Sequence, residues 1–210
     1  MDPRVTDLPT PCTRLRLQLP PTPERAEAFK LLQLELISKV PGFSMEHCPE
    51  PFLPLLDVPD LAGFLGEFQE LTRPSEAQGL RLRQGLAAMM ARRKAQPLRL
   101  SGTLKPLGVG LVPIRNGLAC IGVRVRPSRA LWKLYASSWG ELGALLQAAG
   151  VHDWSAYLKA SRVVPYAALF NDWRPCVVLG RAPQASTPDL RSYAVSPVQL
   201  AFRPTVVWTS

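Results

Sequence analysis

The spacing of apolar residues along this chain switches repeatedly between two and about 3.6, and prolines mark many of the switches. That alternation restricts the fold to a mixed α+β class, because neither period holds long enough for an all-helical or all-strand chain. Arg14–Leu19 alternates basic or polar residues with leucine, the period of a half-buried strand. Thr22-Pro23-Glu24 then reads as an N-cap, a first-turn proline and a first-turn carboxylate. Phe29, Leu32, Leu36, Ile37 and Val40 follow at helical spacing until Pro41-Gly42 ends the run. Between Phe43 and Asp60, Pro49, Pro51, Pro54 and Pro59 predict an extended segment poorly suited to the centre of a sheet.

Leu61–Leu71 reads as a short helix. A longer one follows Pro74-Ser75-Glu76, with Leu80, Leu86, Met89 and Met90 inward. Strand-like runs at Leu98–Leu104 and Leu118–Val125 flank the glycine-containing segment 108–117. A helix from about Ser128 to Ala149 places Leu131, Leu134, Tyr135, Leu142 and Leu145 on one face and stops at Gly150. Trp154–Ala160 reads as another short helix. Val163–Phe170, Cys176–Leu179 and Tyr193–Trp208 read as strands, with a Pro/Ser/Thr-rich loop at 182–188.

This order, without internal repeats, predicts an α+β fold of two interleaved half-sheets sharing one central groove. Residues 1–13 are expected to be irregular, and 14–210 to form a single two-lobed domain. Within it an acidic part spans 24–76, a basic part 77–140, and the C-terminal strands 163–208. At 47% hydrophobic residues, the composition excludes a wholly disordered chain. No apolar run reaches the roughly 18 residues of a membrane span, and the first residues lack a signal-peptide core. Cys12, Cys48, Cys120 and Cys176 show no CxxC spacing. The expectation is an intracellular protein, cytoplasmic or nuclear, in a reducing compartment, without metal or other cofactor.

Charge is segregated. Glu24 to Glu76 holds ten acids against four bases, a net of −6, whereas Ala77 to Gly140 holds no acid and twelve bases. Guanidinium forks suit phosphates, so the second stretch predicts a polyanion-binding face. Its candidate contacts are Arg81, Arg83, Arg92, Arg93, Lys94, Lys105, Arg115, Arg124 and Arg126. Pairing with the acidic part across a lobe interface is the competing reading, although six bases would stay unmatched. Arg92, Arg93 and Lys94, at the end of the helix that follows Glu76, also suit its dipole.

The element order and several local residues resemble the LigT-like two-histidine phosphoesterase superfamily. Leu15–Leu19 before Pro23–Lys39 is similar to the family's first strand and helix. The run Leu98–Val125 resembles its middle hairpin, and Arg162 with Pro165-Tyr166-Ala167-Ala168-Leu169 its last catalytic strand. Tyr193–Trp208 resembles the closing strand. The resemblance implies a two-lobed, duplicated ferredoxin-like arrangement of antiparallel sheets with flanking helices and a groove. It also implies two His-x-Thr/Ser pairs, acting as general base and general acid on a phosphodiester. This chain departs from that pattern. Tyr166 and Ala168 stand in the second motif, and Phe52-Leu53-Pro54 falls where the first should be. Tyrosine, with an ordinary pKa near 10, is a poor base at neutral pH. The resemblance thus implies a pseudoenzyme with no catalytic residue in place.

Other chemistry is thinly supported. The two histidines are His47, beside Cys48, and His152, after a helix-ending glycine. Adjacent residues of an extended strand point apart, which disfavours a His47–Cys48 catalytic pair, and His152 reads as a loop or capping residue. Gly108-Val109-Gly110 is neither GxGxxG nor a P-loop and reads as a bend or bulge. Trp132 and Trp139 read as packing residues, Trp173 as a loop residue open to a ligand or partner. The function expected is non-catalytic binding of RNA or nucleotide, with RNA or another polyanion as partner and no membrane. Three alternatives compete with it. One is an active RNA-processing enzyme, given the looser similarity of Leu98–Val125 to CRISPR repeat-RNA endoribonucleases. Another is an interaction subunit of a ribonucleoprotein assembly, with protein partners. The last is a small-nucleotide binder.

Overall fold

The computed structural model describes residues 15–95, 104–113, 119–161, 163, 175–181 and 207–209. Two three-stranded antiparallel sheets and five helices make up this part of the chain. In the first sheet, β1 (Leu15–Leu19) lies between β2 (Leu53–Val58) and β6 (Val207–Thr209). In the second, β4 (Ala119–Val125) lies between β3 (Pro106–Pro113) and β5 (Cys176–Arg181). A single antiparallel bridge, with the Val178 N–H donating to the Phe52 carbonyl at 2.8 Å, joins the two sheets at β5 and the start of β2.

Local sequence explains each helix boundary. Helix α1 (Pro23–Lys39) starts on Pro23, whose missing N–H needs no partner there. The Thr22 hydroxyl does not cap the backbone; the backbone N–H of Glu24, and after it that hydroxyl, stabilise the Glu24 carboxylate and hold its pKa below the ordinary value. Asp60 caps α2 (Leu61–Thr72) through the Gly63 N–H at 2.8 Å, and Arg73, in the left-handed region at φ 44°, ends it before Pro74. Helix α3 (Glu76–Ala95) opens with a reciprocal capping box. The Ser75 N–H donates to Gln78 Oε1 at 2.8 Å, and the Gln78 N–H returns to Ser75 Oγ at 3.3 Å. Ser128 caps α4 (Arg129–Ala148), and Asp153 caps α5 (Trp154–Ala160). Among the described residues no helix is long and apolar enough to cross a membrane.

All five helices pack into one apolar core that also takes one face of both sheets. Leu15, Leu17, Leu19, Leu53, Leu56 and Val58 enter it from the first sheet; Val109, Ile121, Val123, Val125, Val177 and Leu179 enter from the second. From α3 the core takes Leu82, Leu86 and Met89, not the expected Leu80, which is 45% exposed. A run of apolar positions offset by two residues fits the helical period almost as well, so periodicity alone did not separate the two faces. Helix α5 seats Trp154 against Gly143 of α4: a methyl at that glycine would stand 2.4 Å from the indole. Gly143→Ala is expected to destabilise the fold by about 1–3 kcal/mol, measured by urea unfolding, and an unchanged midpoint would contradict this packing.

Two departures from the expected elements bear on function. The glycine segment is not a link between strands. Gly108 and Gly110 lie within β3, with a bulge between Pro106 and Gly108, and Gly108 takes a positive φ of 121°. The stretch after Phe43 is not uniformly extended, because Met45–His47 forms one 3₁₀ turn. Strand β2 accommodates Pro54 at the edge of its sheet, where a bulge interrupts the ladder with β1.

Candidate nucleic-acid interface

Strand alternation gives each sheet a second face, turned away from the helices. Residues directly opposite in an antiparallel pair share a face, so the register assigns them. In the first sheet, Arg16 is opposite Asp57 and Gln18 opposite Pro54. In the second, Arg124 is opposite Cys176, Gly122 opposite Val178, and Cys120 opposite Arg181. Phe52, Val112, Cys120, Cys176 and Val178 form a small apolar cluster on this face, separate from the core. Because Phe52 bridges to Val178, the face continues across both sheets.

Cations surround that cluster. The Arg124 side chain crosses Gly110, with Nε 3.1 Å from where a Cβ would stand, so the glycine of β3 makes room for a guanidinium of β4. Beyond the strand ends the Arg126 N–H donates to the Lys105 carbonyl at 2.8 Å, which sets these two residues opposite each other. Alternation puts both on the side of Arg124. Arg181 stands at the other end of the cluster, four β4 residues away, or about 13 Å along the strand. Arg124, Arg126, Lys105 and Arg181 are all exposed, and none has a carboxylate partner among the described residues. On the first sheet Arg16 is held differently. Its guanidinium lies 3.9 Å above the Phe52 ring and pairs with buried Asp57.

The basic stretch therefore does not present one surface. Arg81 and Arg83 are exposed on α3, in the helical layer; Arg83 lines a cavity of about 470 Å³ with Gln69, Arg73, Ser75 and Leu80. Arg92 and Arg93 also lie on α3 and converge on Glu141, the first carboxylate after the acid-free stretch. Arg93 holds Oε2 through Nε at 2.8 Å and Nη2 at 2.6 Å, while Arg92 pairs with Oε1. That clamp is intramolecular pairing, supplied by a residue outside the acidic part. Lys94 belongs to the same helix. Of the predicted contacts, the structure brings together Lys105, Arg124 and Arg126. Arg181 joins them, a residue that sequence reasoning passed over because it lies outside residues 77–140.

Phe52 and Pro54 lie on the same face as these cations, buried. The strand that meets Phe52 is β5, through Val178. Arg115, Tyr166, Ala168, Arg162 and Trp173 lie outside the described residues, as do most of Leu98–Leu104, Val163–Phe170 and Tyr193–Trp208. His152 is exposed in the turn between Gly150 and the Asp153 cap.

Buried ionisable groups add a pH signature. Cys176 lies against Gly122, its Sγ 3.4 Å from the missing Cβ position. A hydrogen bond with the Cys120 thiol, then burial, raises its pKa well above the ordinary thiol value. Burial, and secondarily the charge of Glu67, pushes up the Tyr157 phenol. Both groups keep their protons longer in the folded chain than in the unfolded one. Their stabilisation is thus complete below about pH 8.5. It falls as pH rises past the ordinary thiol and phenol values of about 8.5 and 10, toward the raised folded ones. Urea unfolding between neutral and strongly alkaline pH should show a declining midpoint; a flat profile would contradict the assignment.

Comparison with protein-family models, with curated proteins and with solved structures finds no match to this chain.

Proposed function

We propose that this protein binds RNA without cleaving it, through the sheet face turned away from the helices, as a degenerate two-lobed LigT-like protein. The observation that carries the reading is the set of exposed, carboxylate-free cations Lys105, Arg124, Arg126 and Arg181 around one apolar cluster. Phosphates satisfy such cations without the desolvation that burying them against protein would require. The LigT-like, duplicated arrangement is supported by the matching path of the two halves. In each, a middle strand leads through helix to an inner strand, β1–α1–β2 and β4–α4–α5–β5, and the inner strands meet at Phe52 and Val178.

The non-catalytic part of the reading is supported by the sequence around the two histidines and at the first motif position. Neither His47-Cys48-Pro49 nor His152-Asp153-Trp154 is a His-x-Thr/Ser pair, and Phe52 and Pro54 carry no group able to move a proton. The test is a gel-shift titration with labelled RNA, followed by recovery of the bound strand. A shifted band with intact RNA is expected. Product ends bearing cyclic or free phosphates would overturn the non-catalytic part, and no shift would overturn the binding.

A further inference from the structure

The cavity of about 470 Å³ lies in the helical layer, between the end of α2 and the first turns of α3, and its volume is within the range of small-molecule sites. Glu76, Gly79, Leu80 and Arg83 line it from α3 at the i, i+3, i+4, i+7 spacing of one helical stripe, and Arg73 lines it from the C-cap of α2. Arg73 and Arg83 are exposed, and neither has a carboxylate partner among the described residues. Arg73 occupies the left-handed region at φ 44°, where a glycine would be at ease, so the backbone is strained at the residue that brings a guanidinium to the cavity. Leu80, 45% exposed, and Pro74 give the cavity an apolar wall. Gly79 keeps it open, because a Cβ there would meet nothing within 4 Å. The capping box already occupies the Ser75 and Gln78 N–H groups, so side chains rather than the helix end meet a ligand here.

We propose that this cavity binds a small organic carboxylate, with Arg73 and Arg83 holding the carboxylate and Leu80 and Pro74 packing on its apolar body. Guanidinium forks match carboxylate oxygens, and the leucine offers a contact that a bare inorganic ion cannot use. Charge selects among oxyanions. Two guanidiniums against the single Glu76 carboxylate leave a net charge of +1, which suits a singly charged group. Glu76 repels a phosphate dianion or a polynucleotide backbone more strongly, so the site takes a different ligand from the sheet face.

The experiment measures binding of phenylacetate, phenylacetamide and phenyl phosphate to the full chain by titration calorimetry at neutral pH. Phenylacetate should bind, and its uncharged amide should bind roughly tenfold more weakly or worse. Phenyl phosphate should also bind more weakly than phenylacetate, and Glu76→Gln should narrow that gap. Arg83→Gln should lower phenylacetate affinity by roughly tenfold or more. Arg73→Gly should lower it as much yet hold or raise the urea midpoint, because glycine relieves the left-handed backbone; a merely structural arginine would not separate the two readouts. Gly79→Leu, whose side chain enters open space, should remove phenylacetate binding and leave RNA affinity unchanged. No binding by the unaltered chain, equal binding of acid and amide, or unchanged affinity in Arg73→Gly or Arg83→Gln overturns the site. Tighter binding of phenyl phosphate than of phenylacetate overturns the choice of ligand. A matched loss of RNA affinity in Gly79→Leu overturns the separation from the sheet face.

Discussion

Replacing Arg124 and Arg126 together with alanine is expected to lower affinity for a single-stranded oligoribonucleotide by about 30-fold at near-physiological salt. Each guanidinium makes a charge-assisted contact with a net worth of about 1 kcal/mol or more, and 1.4 kcal/mol is tenfold. Both sites are exposed, so the fold should be unaffected. The same double replacement at Arg81 and Arg83 serves as the internal comparison. Those side chains carry equal charge but project from α3 in the helical layer, and their loss should change affinity by no more than a few-fold. Equal losses from the two pairs would mean that only overall charge matters. The sheet face would then have no special role.

Gln33→Leu is expected to destabilise the protein by about 2–5 kcal/mol in urea unfolding, although leucine nearly matches glutamine in size. Gln33 is buried in α1, and its Nε2 donates to the Leu179 carbonyl at 2.7 Å and the Pro49 carbonyl at 2.9 Å. Leu179 is the extra residue of a bulge, because Ile121 pairs with Gly180 and Gly122 with Val178. Its carbonyl has lost its ladder position and depends on the amide from α1. Leucine would leave both carbonyls without a donor close to the Phe52–Val178 junction, so loss of stability should bring loss of RNA affinity at moderate temperature. A variant as stable as the parent would show that the junction does not depend on this amide.

Much of the helical part was legible because its signals are local. Pro23, Asp60, Ser75, Ser128 and Asp153 start their helices through a ring or a short side chain acting within three residues. Gly150, at φ 98°, closes α4 where only a glycine is comfortable. The sheets were less legible because bulges change the parity on which alternation depends. Strict alternation from Cys176 would send Arg181 toward the core. The extra residue Leu179 enters the core instead and turns Arg181 out beside Cys120. The same holds in β2, where the bulge lets Leu53 and Leu56 share the core while Pro54 and Asp57 share the other face. Gly108 and Gly110 read as a bend or bulge, and the bulge is found beside Gly108, but the sequence does not show that both lie inside β3 or that Arg124 fills the space Gly110 leaves. Charge counting found the basic stretch but not its division. Glu141 lies one residue beyond that stretch, and only the packing of α3 on α4 reveals that it takes two of the arginines.

The most direct measurement is the affinity of the unaltered chain for single-stranded RNA across a range of salt concentrations. Four phosphate contacts, from Lys105, Arg124, Arg126 and Arg181, give a logarithmic slope of about −3. A slope near zero, or no binding at low salt, would contradict the claim that these cations meet a polynucleotide.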